Sequence, residues 1–182
     1  MTTEILSKKK MYVGPIFDLS HYEVVLPNGK TGQRDVIEHN GACVMIPVAE
    51  DGRLVMVRQH RAGANAMLLE FPAGKLDNGE DPEKCALREL SEETGYVASK
   101  VRLLTRVHPV AAWCTEIVNV FLMEDLILGE ASPDRDENGE IIEFVEVELH
   151  SLPDLLAMID KGELMDMKTV MGVLMYARIR NI

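Results

Sequence analysis

The sequence predicts an α/β (α+β) protein in which a mixed sheet lies between helices. Three observations carry that expectation. The first forty residues alternate like a small antiparallel sheet that turns at Asn28-Gly29. A helix is delimited on both sides, between Asp81-Pro82 and Gly95. Two further helical segments close the chain after a series of short strands.

Taken in order, PIFDL and HYEVVLP read as strands before the Asn28-Gly29 turn, and TGQRDVIEH as the returning strand. A break at Gly41 separates them from ACVMIPV and RLVMVRQ, which flank the turn Glu50-Asp51-Gly52, and AMLLEFP follows. Asp81 suits an N-cap, Pro82 the first helical position, and Gly95 the left-handed residue that ends the helix. Strands are expected near 100–107 and 117–123. The polar loop GEASPDRDENGE then leads to the strand IIEFVEVEL. SLPDLLAMID and a segment over roughly 166–180 read as the closing helices, with Met167, Met171 and Met175 filling the core at helical spacing.

A chain of 182 residues with 47% hydrophobic residues can bury one full domain core. Its formal charge of −11 argues against nucleic acid as a partner and against a polybasic membrane anchor. Small phosphorylated ligands remain compatible where metal ions reverse the local field. The N-terminus lacks the apolar stretch of a signal peptide, and no run approaches a membrane span. Cys43, Cys85 and Cys114 form no CxxC, which fits a reduced cytoplasm and no zinc site. The five histidines are scattered, and none is expected to take a direct part in the chemistry.

The chemistry is concentrated in residues 74–96, GKLDNGEDPEKCALRELSEETGY. On a helix, Glu89 and Glu93 lie one turn apart on one face, and Glu92 flanks it. Like charges at this spacing cost a few tenths of a kcal/mol per pair, and the negative end of the helix dipole adds a similar penalty. Hard divalent cations remove both, Mg²⁺ being the usual ion held by a few carboxylates and substrate phosphates. Arg88, one turn before Glu92, can hold that carboxylate in place.

Gly74, Glu80, Arg88-Glu89-Leu90, Glu92-Glu93 and Gly95, at these spacings, resemble the signature of the Nudix hydrolase family, with Tyr96 where an aliphatic residue is more usual. LPNGK, RDVIEHNGA, RQHR and LLEFPAGKLDNGE extend the resemblance over nearly the whole chain to its ADP-ribose pyrophosphatase and nucleoside diphosphate sugar hydrolase branch. The resemblance implies an α/β/α sandwich with a mixed sheet over 41–182, preceded by a small N-terminal antiparallel β subdomain over 1–40. It further implies metal-dependent cleavage of nucleoside diphosphate sugars, ADP-ribose or GDP-mannose among them, to a nucleoside monophosphate and a sugar phosphate. Glu89 and Glu93 correspond to the principal Mg²⁺ (or Mn²⁺) ligands, Glu92 to a further ligand or a group bonded to one, and the Ala73 carbonyl to the last inner ligand. Arg88 would orient the glutamates, Gly74 would let the backbone approach the metal, and Glu80 would be structural.

In that branch the residues matching Arg61 and Glu70 contact substrate. The N-terminal subdomain crosses to a second subunit, which implies a homodimer with exchanged strands and makes Arg34 a candidate contact from the partner chain. Relatives often carry Ser-Pro-Gly after the signature. Here the run is Val110-Ala111-Ala112-Trp113-Cys114-Thr115-Glu116, which keeps Glu116 but loses the tripeptide and widens the expected range of sugars. Aligning on the strand EFVEV selects Glu143 as the general base, whereas aligning on the loop glycine selects Glu140. Other reactions of the family, on nucleoside triphosphates or dinucleoside polyphosphates, are disfavoured by the N-terminal subdomain and RQHR. A silent nucleotide-sugar sensor is disfavoured by the complete signature.

Overall fold

The computed structural model describes residues 4–129 and 145–182. Its first strands, β1 (Ile5–Val13), β2 (Asp18–Val25) and β3 (Thr31–Glu38), form a separate antiparallel sheet in that order. The β2–β3 turn is the expected one: Leu26 and Lys30 close it by a backbone hydrogen bond, with Gly29 at φ 77°. PIFDL does not form a strand of its own. Gly14 to Phe17 make the β1–β2 turn, closed by the Gly14 N–H on the Phe17 carbonyl, and β1 lies upstream in a lysine-rich segment.

The rest of the chain contains β4 (Ala42–Pro47), β5 (Leu54–Arg61), β6 (Ala66–Glu70), β7 (Ala73–Lys75), β8 (Tyr96–Val107), β9 (Val118–Leu128) and β10 (Glu146–His150). Its helices are α1 (Pro82–Thr94), α2 (Leu152–Asp160) and α3 (Met167–Ile179). A four-stranded mixed sheet runs β7-β4-β9-β8, parallel only between β4 and β9, and a second sheet runs β10-β5-β6. β4 is buried on both faces, and its side chains alternate between two cores. Cys43 and Met45 join Leu76, Cys85, Ala86, Leu90, Phe121 and Met123 beneath α1. Val44 and Ile46 join Met56, Phe71, Val120, Leu155, Val173 and Tyr176 on the side of α2 and α3. The mixed sheet is therefore sandwiched between α1 and the closing helices.

The three helices among the described residues carry the caps their sequences suggest. Asp81, Ser151 and Asp166 each accept backbone N–H bonds at an N-terminus, and Gly95 ends α1 at φ 72°. Two of the three closing methionines are partly buried, but Met167 is 56% exposed on the first turn of α3 and so is not core filler. Strand β3 is tied to the segment after β8 by reciprocal bonds, from Ile37 N–H to the Trp113 carbonyl and from Thr115 N–H to the Ile37 carbonyl. This tie brings the C-terminal end of β3 over the mouth of the mixed sheet.

Candidate active site

The last turn of α1 carries no basic residue, so its carboxylates depend on Arg88, one turn earlier in the helix. Arg88 Nη1 donates to Glu89 Oε1 and to Glu92 Oε2, each at 2.9 Å. Its Nε and Nη2 donate to the two oxygens of Glu80, both at 3.1 Å, and Glu80 also accepts the Asp77 N–H. One guanidinium thus ties the loop before α1 to the acidic face of the helix. The Arg88 bond holds the Glu80 carboxyl below its ordinary range, and Glu80, followed by Glu89 and Glu92, raises Arg88 so that it stays charged.

Strand β7 brings its backbone against the same face. The Ala73 N–H donates to Glu93 Oε2 at 3.1 Å, and Glu93 is only 6% exposed. At position 74 any Cβ would stand 1.8 Å from the Glu89 carboxyl carbon, which only glycine avoids. Glu89 therefore lies directly on the β7 backbone, and Glu93 is pinned to it.

A second charged group sits at the end of β6. Glu70 is 1% exposed and accepts Arg61 Nε and Nη2 at 2.9 and 2.7 Å, a bidentate pair. Lys168, from the first turn of α3, also bonds Glu70 and reaches Asp166 at 2.9 Å. Burial alone would raise the Glu70 carboxyl, but Arg61 and Lys168 outweigh it and hold the group below its usual range. Thr169 Oγ1 donates to the Asp166 cap and accepts the Phe71 N–H at 2.9 Å, locking α3 to the residue after Glu70.

These groups line adjoining clefts. One, of about 570 Å³, is bounded by Arg61, Ala73, Gly74, Arg88, Glu89 and Glu92. Another, of about 310 Å³, is bounded by Arg61, Val44, Pro109, Glu116, Met167 and Lys168. His39, Arg61, Ala73, Gly74 and Lys75 belong to both. Arg61, Ala73, Glu89, Glu92 and Glu116 thus gather around one continuous opening, with Glu70 and Arg88 bonded to its walls and Glu93 beneath. Arg34 does not join them within one chain: it is exposed on β3 and donates to the Gln33 carbonyl. Glu140 and Glu143 lie outside the described residues.

Sequence reasoning missed Lys168, Asp166 and His39. Lys168 and Asp166 stand at the start of a helix read only for its methionine spacing, and Asp166 carried an N-cap signal that would have marked that turn. His39 follows β3 with no partner at ligand spacing, and the tie to the 113–115 segment helps hold it at the cleft.

The donor set fits a hard divalent cation in its chemistry. Four carboxylates, Glu80, Glu89, Glu92 and Glu93, stand in or beside one turn with a single guanidinium among them, leaving three formal negative charges. The bare Gly74 backbone against Glu89 provides the close approach such an ion needs. Among the described residues no three acidic, imidazole or thiol groups already converge on one point. Arg88 bonds one carboxylate oxygen of Glu89 and one of Glu92, and so orients both.

The NUDIX domain model matches residues 38–167. The chain is 39% identical over 168 residues to an ADP-ribose pyrophosphatase of Bacillus subtilis (strain 168), covering 92% of this chain and 89% of that protein. It is 33% identical over 168 residues to a methanol dehydrogenase activator of Bacillus methanolicus, with the same coverage. Over 152 residues it is 39% identical to a GDP-mannose pyrophosphatase of Yersinia pestis (strain Pestoides F), covering 77% and 71%. The fold is similar to the crystal structure of an ADP compounds hydrolase, with a TM-score of 0.80 at 18% identity over 98% of this chain and 94% of that one. With the signature helix, its glycine and its arginine all built into one cleft, the chain belongs to the Nudix family.

Proposed function

We propose that this chain is a Nudix pyrophosphohydrolase that cleaves the diphosphate of nucleoside diphosphate sugars, with ADP-ribose as the first substrate to try and GDP-mannose as the second. The observation that carries this reading is the cleft itself, in which an acid-rich helical turn against a bare glycine backbone adjoins the fixed Arg61–Glu70 pair. The relatives named for ADP-ribose and GDP-mannose cleavage supply the substrate class. The Bacillus methanolicus relative is named for activating another enzyme, and the same substrate screen tests whether hydrolysis also accounts for this chain.

Glu89, Glu93 and Glu92, with the Ala73 carbonyl, are the residues we assign to Mg²⁺ or Mn²⁺. A divalent ion held there neutralises diphosphate charge and lowers the pKa of a bound water. Arg88 keeps the carboxylates oriented through its bonds to Glu89 and Glu92 and is itself anchored by Glu80. Arg61, its guanidinium set by Glu70, offers its cation to the diphosphate as it crosses the cleft. Glu116 lines the end of the cleft away from α1 and suits ribosyl hydroxyls. Glu143 or Glu140 takes the proton of the attacking water in this scheme.

The N-terminal sheet, which we delimit as residues 1–40 against a hydrolase domain over 41–182, serves in this reading to pair two copies into a homodimer with exchanged strands. Support comes from β1, exposed at every position and carrying Ile5, Leu6, Met11, Tyr12 and Val13. Arg34 would then reach the partner's cleft. No helix among the described residues is long and apolar enough to cross a membrane. The free cysteines and the charge of −11 suit a cytoplasmic enzyme without nucleic-acid or membrane partners. A panel of nucleotide sugars, incubated with Mg²⁺ or Mn²⁺ and analysed by mass spectrometry, should release AMP and ribose 5-phosphate from ADP-ribose. An unchanged panel under both ions would refute the proposal.

A further inference from the structure

His39 occupies the waist of the cleft. It borders both the acid-lined opening and the opening toward α3, and it also borders a third cleft of about 350 Å³ under the β1–β2 turn. Its side chain is 12% exposed, unusual for a polar residue just beyond a strand end. The residue is held at several points, one of them on the ring. The His39 N–H donates to Thr115 Oγ1 at 2.9 Å, Thr115 Oγ1 donates back to the His39 carbonyl at 3.3 Å, and the Gly41 N–H donates to His39 Nδ1 at 3.0 Å.

That last bond assigns the tautomer of the neutral ring. A backbone N–H is always a donor, so Nδ1 must present a lone pair, and the proton of the neutral imidazole belongs on Nε2. The competing arrangement is an imidazolium that gives its Nδ1 proton to Glu116. That carboxylate lies 3.7 Å from Nδ1, beyond a direct hydrogen bond, so the Gly41 bond prevails. Nε2 has no hydrogen-bond partner among the described residues, and His39 lines both clefts.

We infer that His39 is a substrate-binding residue whose neutral Nε2–H donates to a non-bridging oxygen of the diphosphate, an assignment that rests on the function proposed above. A substrate reaching from the Glu89 turn toward Lys168 must pass the five residues shared by the two larger openings. The two cations among them are anchored, Arg61 by Glu70 and Lys75 by the Pro15 carbonyl, which accepts from Nζ at 3.0 Å. His39 adds a directional donor at that waist without adding charge beside Glu116. Because Gly41 fixes the tautomer before substrate arrives, the donor needs no rearrangement on binding.

The two ring nitrogens can be replaced one at a time. Asparagine places an amide oxygen near the Nδ1 position and can keep the Gly41 bond, but it has nothing at Nε2. Glutamine extends an amide nitrogen to the Nε2 position and leaves the Gly41 N–H to water. Steady-state kinetics on ADP-ribose with Mg²⁺, alongside melting curves, separates binding from a merely structural role. His39→Asn is expected to raise KM about tenfold or more, the weight of one hydrogen bond to a charged oxygen, with a smaller change in kcat. His39→Gln is expected to recover much of that loss despite the weakened turn. A loss confined to His39→Gln, equal losses in both variants, or wild-type kinetics in His39→Asn overturns the inference. Absence of turnover by the wild-type protein instead contradicts the proposed function, and the role of His39 falls with it.

Discussion

Arg61 and Glu70 form a two-pronged ion pair in which the carboxylate is buried and the guanidinium reaches the cleft, with bonds of 2.9 and 2.7 Å. The arrangement converts a flexible arginine into a fixed cation, since Glu70 is itself held by Lys168 and by the packing of Phe71.

Replacing Glu70 by glutamine removes the charge that matches Arg61 and Lys168. We expect a loss of about 2–3 kcal/mol at pH 7, below the full cost of breaking a buried pair because Arg61 is partly solvated. The sign of its pH dependence follows from the lowered carboxyl. A depressed folded pKa contributes stability above the ordinary value of 4.5, and that contribution is lost as pH falls through the folded value. Urea unfolding of wild type and Glu70→Gln should therefore differ fully at pH 7 and converge progressively below about pH 4.5.

Gly74 is the position where a single methyl group does most harm for least volume. Gly74→Ala must displace Glu89, whose carboxyl carbon sits 1.8 Å from the new Cβ. The far end of a glutamate can swing aside, so the fold should survive with near-native circular dichroism. Turnover should fall by two orders of magnitude or more, by analogy with the ~10²-fold cost of misplacing a reacting group by 1 Å. Normal rates in a folded Gly74→Ala protein would remove Glu89 from the site.

Arg88 cannot be replaced by lysine on equal terms. The guanidinium serves Glu80, Glu89 and Glu92 together, whereas an ammonium is a compact point charge without the fork that binds Glu80 at two points. Arg88→Lys should lower stability by about 1 kcal/mol, since the site is one-third exposed. Activity should fall at least tenfold, read from initial rates at saturating metal.

The three thiols should differ sharply in reactivity. Cys43 and Cys85 are buried beside one another, and the neighbouring thiol, together with burial, pushes Cys85 up, away from the thiolate form. Cys114 is partly exposed. Native protein should react with a thiol reagent at Cys114 alone, and the other two only after denaturation. Rapid labelling of Cys85 would contradict the packing under α1.

Much of this was legible before any coordinates. The α1 helix announced both of its ends through Asp81-Pro82 and Gly95, and its carboxylate spacing carried the chemistry. Strand β1 was not legible because a strand exposed at all nine positions has no face to alternate. Met167 was misread as core because helical spacing identifies a face but not whether anything covers it. His39 and Lys168 reach the cleft through tertiary ties, the Thr115 bond and the bond to Glu70, which no local pattern encodes.

The central claim is that the acidic turn of α1 works by holding divalent cations. It is tested most directly by titrating Mn²⁺ into the wild-type protein and the doubly substituted Glu89→Gln, Glu93→Gln protein, with ADP-ribose cleavage followed on the same samples. Wild type should bind the ion and cleave substrate, losing activity on chelation while staying folded, and the double variant should do neither. Cleavage by the double variant at the wild-type rate, or by wild type after complete chelation, would contradict the account.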